Sequence, residues 1–180
     1  QIQDGVLTGI EVNGEEKIPC NTAILAIGHS ARDTFAGLHQ QKIAMEQKAF
    51  AIGVRIEHQQ KMINMAQYGM EVPYDSLGAA DYKLTYQTEQ GRAVYSFCMC
   101  PGGFIIPAAS DGGQLVVNGM SPSNRGTKWA NSGMVVEVLP EDLPEYDRLG
   151  SLKMMGFQED IEKRFFEASG HTQQAPAQRM

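Results

Sequence analysis

Four short segments with the composition of β-strands follow one another in the middle of the sequence, and this series restricts the fold more than any other feature. They span residues 82–88, 92–100, 115–118 and 133–139. Paired glycines at 102–103 and 112–113 lie between them and favour turns. The series predicts a mostly antiparallel or mixed β-sheet.

Helical patterns lie on both sides of this series. The clearest one, over residues 152–168, places its apolar side chains on one face. Shorter helices are expected over 31–40 and 58–68, with a half-buried strand over 49–57. We therefore predict an α+β fold, in which a mostly antiparallel or mixed sheet is combined with two or three helices.

The beginning of the chain has a different pattern. Its turn dipeptides, Asp4-Gly5 and Asn13-Gly14, are typical of β-hairpins. Residues 23–27 are all apolar and precede Gly28, which indicates a strand buried on both faces of a sheet. Because the sequence does not begin with Met and starts inside a hairpin pattern, we expect it to be a piece of a longer protein.

Charge and composition exclude several classes of function. Asp and Glu number 21 against 15 Lys and Arg, a net charge of −6, which argues against binding nucleic acid through its phosphates. The longest apolar run has five residues, whereas a membrane span needs about 20. Three cysteines indicate a reducing compartment, and we expect a cytoplasmic protein.

Several cofactor and metal motifs are missing from the sequence. No two glycines are separated by a single residue, so G-x-G-x-x-G does not occur, and there is no phosphate-binding loop ending in Gly-Lys-Ser/Thr. C-x-x-C and H-E-x-x-H are also missing. This chain alone is therefore not expected to cradle a dinucleotide, and no metal site is predicted.

The junction around Gly28 is the first candidate site. A glycine at the end of a strand lets a flat ligand approach, and the start of the following helix favours a phosphate or an electron-rich ring edge. A tight turn with Ser30 as helix cap is the structural alternative.

The same junction also resembles the G-x-S-x-G turn of α/β-hydrolases, which lies between a strand and a helix. The order of nucleophile, acid and base would be met by Ser30, Asp142 or Asp147, and His171. Arg32 stands where that motif has its second glycine, which must be small for packing. A serine hydrolase is therefore the alternative function.

Two cysteines form the second candidate site. On a regular strand Cys98 and Cys100 would point to the same face, just before a turn that contains Gly102 and Gly103. The thiols either face a ligand or pack in the core. The two glycines would let the backbone approach that ligand.

A set of polar residues between apolar strands could orient a substrate that carries a carboxylate. Its members are Arg55, Asn118, Ser121, Arg125 and Asn131. Turn formation is the alternative role for the Asn and Ser side chains. Arg55 needs an anion if it points inward, and Glu57 is the nearest candidate along the chain.

The combination of these segments resembles the NAD(FAD)-utilising dehydrogenase family of bacterial flavoproteins. The resemblance is carried by Ala-Ile-Gly-His-Ser-Ala-Arg-Asp-Thr at 26–34, Gly-Val-Arg-Ile-Glu-His at 53–58, Tyr-Ser-Phe-Cys-Met-Cys-Pro-Gly-Gly at 95–103, Val-Asn-Gly-Met-Ser at 117–121, Ala-Asn-Ser at 130–132 and Ala-Pro-Ala-Gln at 175–178. It implies an FAD-dependent oxidoreductase of which this chain is a fragment. Residues 1–40 would end a Rossmann-like FAD-domain segment, and residues 41–180 would form an inserted substrate domain.

The resemblance also implies roles for the candidate residues. The flavin would lie near Gly28, His29, Ser30, Gly102 and Gly103. FAD is expected in the intact protein rather than in this fragment, and NAD(P) is a further cofactor to consider. The polar set would bind a small-molecule substrate, and Cys98 and Cys100 are candidates for redox thiols.

The implied partner of the fragment is the rest of the FAD domain. An inserted domain in isolation would expose the face that normally covers its neighbour, and this favours a homodimer of the fragment or a non-catalytic interaction module.

Overall fold

The computed structural model of the chain describes residues 1–69 and 76–179. The chain divides into two compact units, Gln1–Ala31 and Arg32–Met180. Within the described residues, three α-helices and several antiparallel sheets confirm the predicted α+β class. None of the helices in the described ranges is long and apolar enough to cross a membrane.

The first unit is built from two small antiparallel hairpins. Their strands are β1 (Ile2–Gln3) with β2 (Val6–Leu7), and β3 (Gly9–Val12) with β4 (Glu16–Pro19). The predicted turn dipeptides, Asp4-Gly5 and Asn13-Gly14, connect the strands of these hairpins and have positive φ angles. The hairpin prediction is therefore confirmed.

Residues 23–27 do not form the predicted buried strand. No strand in the described part of the chain pairs with them, and Ile24 and Leu25 are 91% and 61% exposed. The prediction was wrong because an apolar run becomes a buried strand only when other strands and a covering layer are available to it.

The second unit is organised around a four-stranded antiparallel sheet in the order β5-β10-β7-β6. The strands are β5 (Phe50–Gln59), β6 (Thr85–Gln87), β7 (Ala93–Cys100) and β10 (Trp129–Val138). A separate hairpin consists of β8 (Phe104–Pro107) and β9 (Val117–Met120). The sequence did not predict β8, since Phe-Ile-Ile-Pro shows no alternation and contains a proline, which is rare within strands.

The helices lie close to their predicted positions. They are α1 (Arg32–Gln40), α2 (Gln60–Tyr68) and α3 (Lys153–Ala168). The segment before α3 contains the 3₁₀ helices Pro140–Asp142 and Pro144–Leu152.

Two apolar clusters cover the same face of the sheet. At one end, Ile63 of α2 packs with Ala130 of β10. At the other end, Met154 of α3 packs with Val138 of β10 and is joined by Phe50 of β5. Because side chains alternate along a strand, the odd-numbered residues of β5 and β10 lie on the opposite face. That opposite face carries the candidate site.

An ion pair joins the turn before β7 to the first 3₁₀ helix. The Arg92 guanidinium donates to both carboxylate oxygens of Asp142 at 2.5 and 2.7 Å, and the Leu139 backbone N–H donates to the same carboxylate at 2.8 Å. The hydrogen bond from Arg92, and then that from Leu139, lower the pKa of Asp142 from 3.8 to about 2.

This pKa predicts a contribution to stability that depends on acid pH. Because the folded-state pKa lies below the unfolded value, the contribution is complete above pH 3.8 and is lost as the pH falls towards 2. Urea unfolding of the wild type and of Asp142→Asn should differ most near pH 6, and the two should converge near pH 2. A difference that does not depend on pH would contradict this assignment.

Candidate functional site

Arg55 is the centre of a polar cluster on the open face of the sheet. It donates through Nη1 to Asn131 Oδ1, and through Nη2 to the Cys98 carbonyl at 3.0 Å and to Asn118 Oδ1 at 3.3 Å. Its Nη1 also lies 3.8 Å from Cys100 Sγ. Four of the sequence-predicted residues therefore meet at Arg55.

The acceptors around Arg55 are all uncharged. No carboxylate in the described part of the chain lies within 4.0 Å of its guanidinium, and this includes Glu57, which the sequence suggested as its partner. The side chain is half-buried. A partly desolvated cation without an anion favours the binding of an anionic group.

Asn131 is the most deeply buried residue of the cluster. It is fully buried, and its Oδ1 faces Arg55, while its Nδ2 has no acceptor among the described residues. An unpaired buried donor of this kind costs about 1–3 kcal/mol. Gly119 of β9 lies over the cluster, and a Cβ there would overlap Arg55 and Asn131 and come within 2.5 Å of Cys100 Sγ. Sequence patterns did not assign this role to Gly119.

A β-bulge changes the predicted arrangement of the two thiols. Asn131 is opposite Cys100 and Gly133 is opposite Phe97, so β7 contains one extra residue at this point. Cys98 lies in this bulge with a φ angle of +45°. The prediction that both thiols share a face depended on regular alternation, which the bulge interrupts.

The two cysteines differ in exposure. Both are free, Cys98 is exposed, and Cys100 is half-buried with its thiol 3.3 Å from the Cys98 carbonyl. Packing in the core, the alternative considered from the sequence, is therefore wrong for Cys98.

The glycines after Cys100 are in contact with the protein's own backbone. Gly102 and Gly103 are buried; a Cβ on Gly102 would overlap the Arg125 carbonyl, and one on Gly103 would come within 2.6 Å of the Met120 carbonyl. The Ser121 hydroxyl donates to the Pro101 carbonyl at 2.7 Å.

Gln60, at the start of α2, forms hydrogen bonds that support the turn containing Gly102. Its side chain accepts from the Gly102 N–H at 2.7 Å and donates to the Ala80 carbonyl at 2.8 Å. It is buried, and sequence patterns did not single it out. A buried glutamine that supports a turn has no local signature.

A second polar group lies on the covered face of the sheet. The rings of His58 and Tyr82 are 5.5 Å apart, and burial lowers the pKa of His58 and raises that of Tyr82. His58 Nε2 is buried without a partner among the described residues. This group is separate from the Arg55 cluster, since β5 alternates between the two faces.

The residues predicted nearest the flavin belong to the first unit. His29 and Ser30 form a turn after Gly28, and a Cβ on Gly28 would meet nothing within 4 Å. The strand that the hydrolase motif requires before this turn is not formed, because residues 23–27 are not a strand.

The other residues of the alternative triad have different roles. Asp142 is paired with Arg92, and Asp147 accepts from the buried Lys153 ammonium at 2.5 Å. His171 is exposed and packs edge-on against Phe166. The geometry therefore gives no support to a serine hydrolase.

A flavin does not fit the second unit at the predicted glycines. The space beside Gly102 is filled by the Arg125 backbone, and the space beside Gly103 by the Met120 carbonyl and the Ser121 hydroxyl, so these glycines offer no cradle for a ring. Gly28 has open space beside it, but one turn without a phosphate-binding fingerprint is not a complete dinucleotide site. Within residues 1–69 and 76–179, no group of three or more His, Cys, Asp and Glu is placed to hold a metal ion.

Comparison with known proteins places the second unit in a family. Residues 49–180 match the family described as "FAD-dependent protein, C-terminal domain-like". The chain belongs to this family. The resemblance to an FAD-dependent family that the sequence suggested is confirmed at this level.

A protein of Clostridium beijerinckii (strain ATCC 51743 / NCIMB 8052), described as an uncharacterized protein, is 50% identical to this chain over 177 residues. The matched region is 98% of this chain and 32% of the relative. The chain therefore spans about a third of the length of the protein it matches.

Proposed function

We propose that this chain is the substrate-binding part of an FAD-dependent oxidoreductase whose cofactor is held mainly by other parts of a longer polypeptide. The family match over residues 49–180 carries this proposal. Two observations support it: the chain lacks a dinucleotide fingerprint, and a relative at 50% identity is about three times as long.

In the intact protein we assign the polar cluster to the substrate. Arg55, Asn118 and Asn131 would orient a small molecule through charge and amide hydrogen bonds, and the FAD would supply the capacity to accept or donate two electrons. Ser121 is a secondary candidate, because its hydroxyl is engaged with the Pro101 carbonyl. Arg125 is a further candidate. Cys98 is the more accessible of the two candidate redox thiols.

The remaining parts of the proposal follow from the sequence resemblance. Residues 1–40 would belong to the FAD domain, with Gly28, His29 and Ser30 bordering the flavin, and residues 41–180 would be the inserted domain. We place the enzyme in the cytoplasm of a bacterium, with NAD(P) as an electron donor to be tested.

Exposed apolar side chains support a protein partner for the fragment. Val54, Phe97 and Met120 are 61%, 57% and 55% exposed. In the longer protein the rest of the FAD domain would cover such residues, and in the isolated chain a second copy could do so. Gel filtration of the chain as a strict monomer at high concentration would count against the second arrangement.

The decisive test is the flavin content of the longer protein. A polypeptide that includes the segments flanking this chain should be yellow, and denaturation should release FAD that is identified by chromatography and absorbance. The 180-residue chain, purified in parallel, should release none. A colourless longer protein that still cannot bind added FAD would overturn the proposed function.

A further inference from the structure

The open face of the sheet places the exposed phenyl ring of Phe97 in the same cross-strand row as Arg55, which has no anionic partner among the described residues. Arg55 of β5, Gly133 of β10 and Phe97 of β7 are directly opposite one another across three strands. Gly133 has no side chain, and an added Cβ there would lie 3.7 Å from the Cβ of Phe97, which confirms that Phe97 is on this face. No side chain therefore separates Phe97 from Arg55 in this row.

The β8–β9 hairpin extends the apolar surface. Phe104 and Met120 are register partners and are 47% and 55% exposed. Met120 is two residues from Asn118, so the two side chains lie on the same side of β9. The amide that contacts Arg55 is thus bordered by exposed apolar groups.

The charge of the site suits one negative charge. Among the residues that form the six strands β5 to β10, all of which are described, Arg55 is the only Lys or Arg; the connecting segments are not counted here. A phosphate dianion is usually held by several cations or backbone N–H groups, whereas one guanidinium matches one carboxylate. The 3.3 Å contact from Nη2 to Asn118 is the longest N···O contact of the cluster and is the one that a carboxylate would replace.

We infer that this face binds a small aromatic carboxylate, which accepts hydrogen bonds from Arg55 and from the Asn118 side-chain NH2 group, with its ring against Phe97. Exposed phenyl and thioether groups recognise a flat apolar body through stacking and sulfur–aromatic contacts. The inference names the substrate class for the oxidoreductase proposed above and rests on that proposal for its metabolic meaning. The binding step itself requires no flavin.

The test is titration of the 180-residue chain with benzoate, followed by ¹H–¹⁵N NMR and calorimetry. Benzamide, which has the same shape without the charge, and acetate, which has the charge without the ring, are the matched ligands. Benzoate should bind saturably, at least tenfold more tightly than either. Shifts should be largest at the amides around Arg55, Phe97 and Asn118.

Variants separate the two halves of the site. Arg55→Gln should weaken benzoate binding at least tenfold and abolish the preference over benzamide, whereas Phe97→Ala should weaken binding several-fold while that preference remains. Phe97 is exposed, so its variant should fold normally even if Arg55→Gln does not. Arg148→Gln removes an exposed arginine outside the site and should leave binding unchanged.

Three results would overturn the inference: no saturable benzoate binding, equal affinity for benzamide, or unchanged binding in Phe97→Ala. None of them would affect the proposed function, which is judged by flavin in the longer protein. Conversely, if this chain binds benzoate but the longer protein contains no flavin, the result would support a carboxylate-binding domain and contradict the assignment as an oxidoreductase.

Discussion

Replacement of Arg32 by leucine should lower the free energy of unfolding of the second unit by about 3–5 kcal/mol, because it leaves a buried carboxylate without its partner. The Arg32 side chain is 7% exposed, and its Nη2 lies 2.8 Å from Glu162 of α3, whose side chain is 12% exposed. Arg32 Nη1 also donates to Gln114. These contacts tie the start of α1 to α3 and to the segment before β9, so urea unfolding should show a lower midpoint.

The matched control is Arg164→Leu. Arg164 pairs with Asp160 at 2.7 Å, but its side chain is 67% exposed, and exposed pairs contribute about 0–1 kcal/mol. If Arg32→Leu costs no more than Arg164→Leu, the buried pair does not hold these elements together. A second variant, Arg32→Leu with Glu162→Leu, should recover part of the loss, because it removes both charges.

Local patterns predicted the elements that depend on local interactions. The three helices and both turn dipeptides of the first unit agree with the sequence because periodicity and turn chemistry act within a few residues. The run at 23–27 failed for the opposite reason: whether an apolar segment becomes a buried strand depends on partners that are distant in sequence. Its exposed Ile24 and Leu25 show that these partners are missing from the described chain.

The candidate site could likewise be predicted where it depends on residue type, but not where it depends on contacts between distant segments. Residue types identified Arg55, Asn118 and Asn131. The antiparallel register of β5 and β10 brings Arg55 to Asn131, and Asn118 reaches Arg55 from β9. The bulge at Cys98 and the supporting role of Gln60 could not be predicted, since both depend on pairing and burial. The interpretation of Gly102 also changed. The sequence suggested an opening for a ligand, whereas in the structure Gly102 lies against the chain's own backbone.

The variant Gly102→Ala tests whether the protein's own backbone fills the space beside Gly102. Gly102 has a φ angle of +53°, which costs an alanine about 1–2 kcal/mol. The new Cβ would also overlap the Arg125 carbonyl, and overpacking of a buried position costs about 1–3 kcal/mol. The 180-residue chain without flavin should therefore lose about 2–5 kcal/mol of stability in urea unfolding.

Gly113→Ala is the matched control for this variant. Gly113 has a φ angle of +75°, but it is exposed, and a Cβ there would meet nothing within 4 Å. It should cost only the backbone term of about 1–2 kcal/mol. If Gly102 is instead reserved for the approach of a flavin, both variants should lose the same amount in the absence of the cofactor. A clear excess for Gly102→Ala would show that the Arg125 backbone occupies this space, so that it offers no room for a flavin ring.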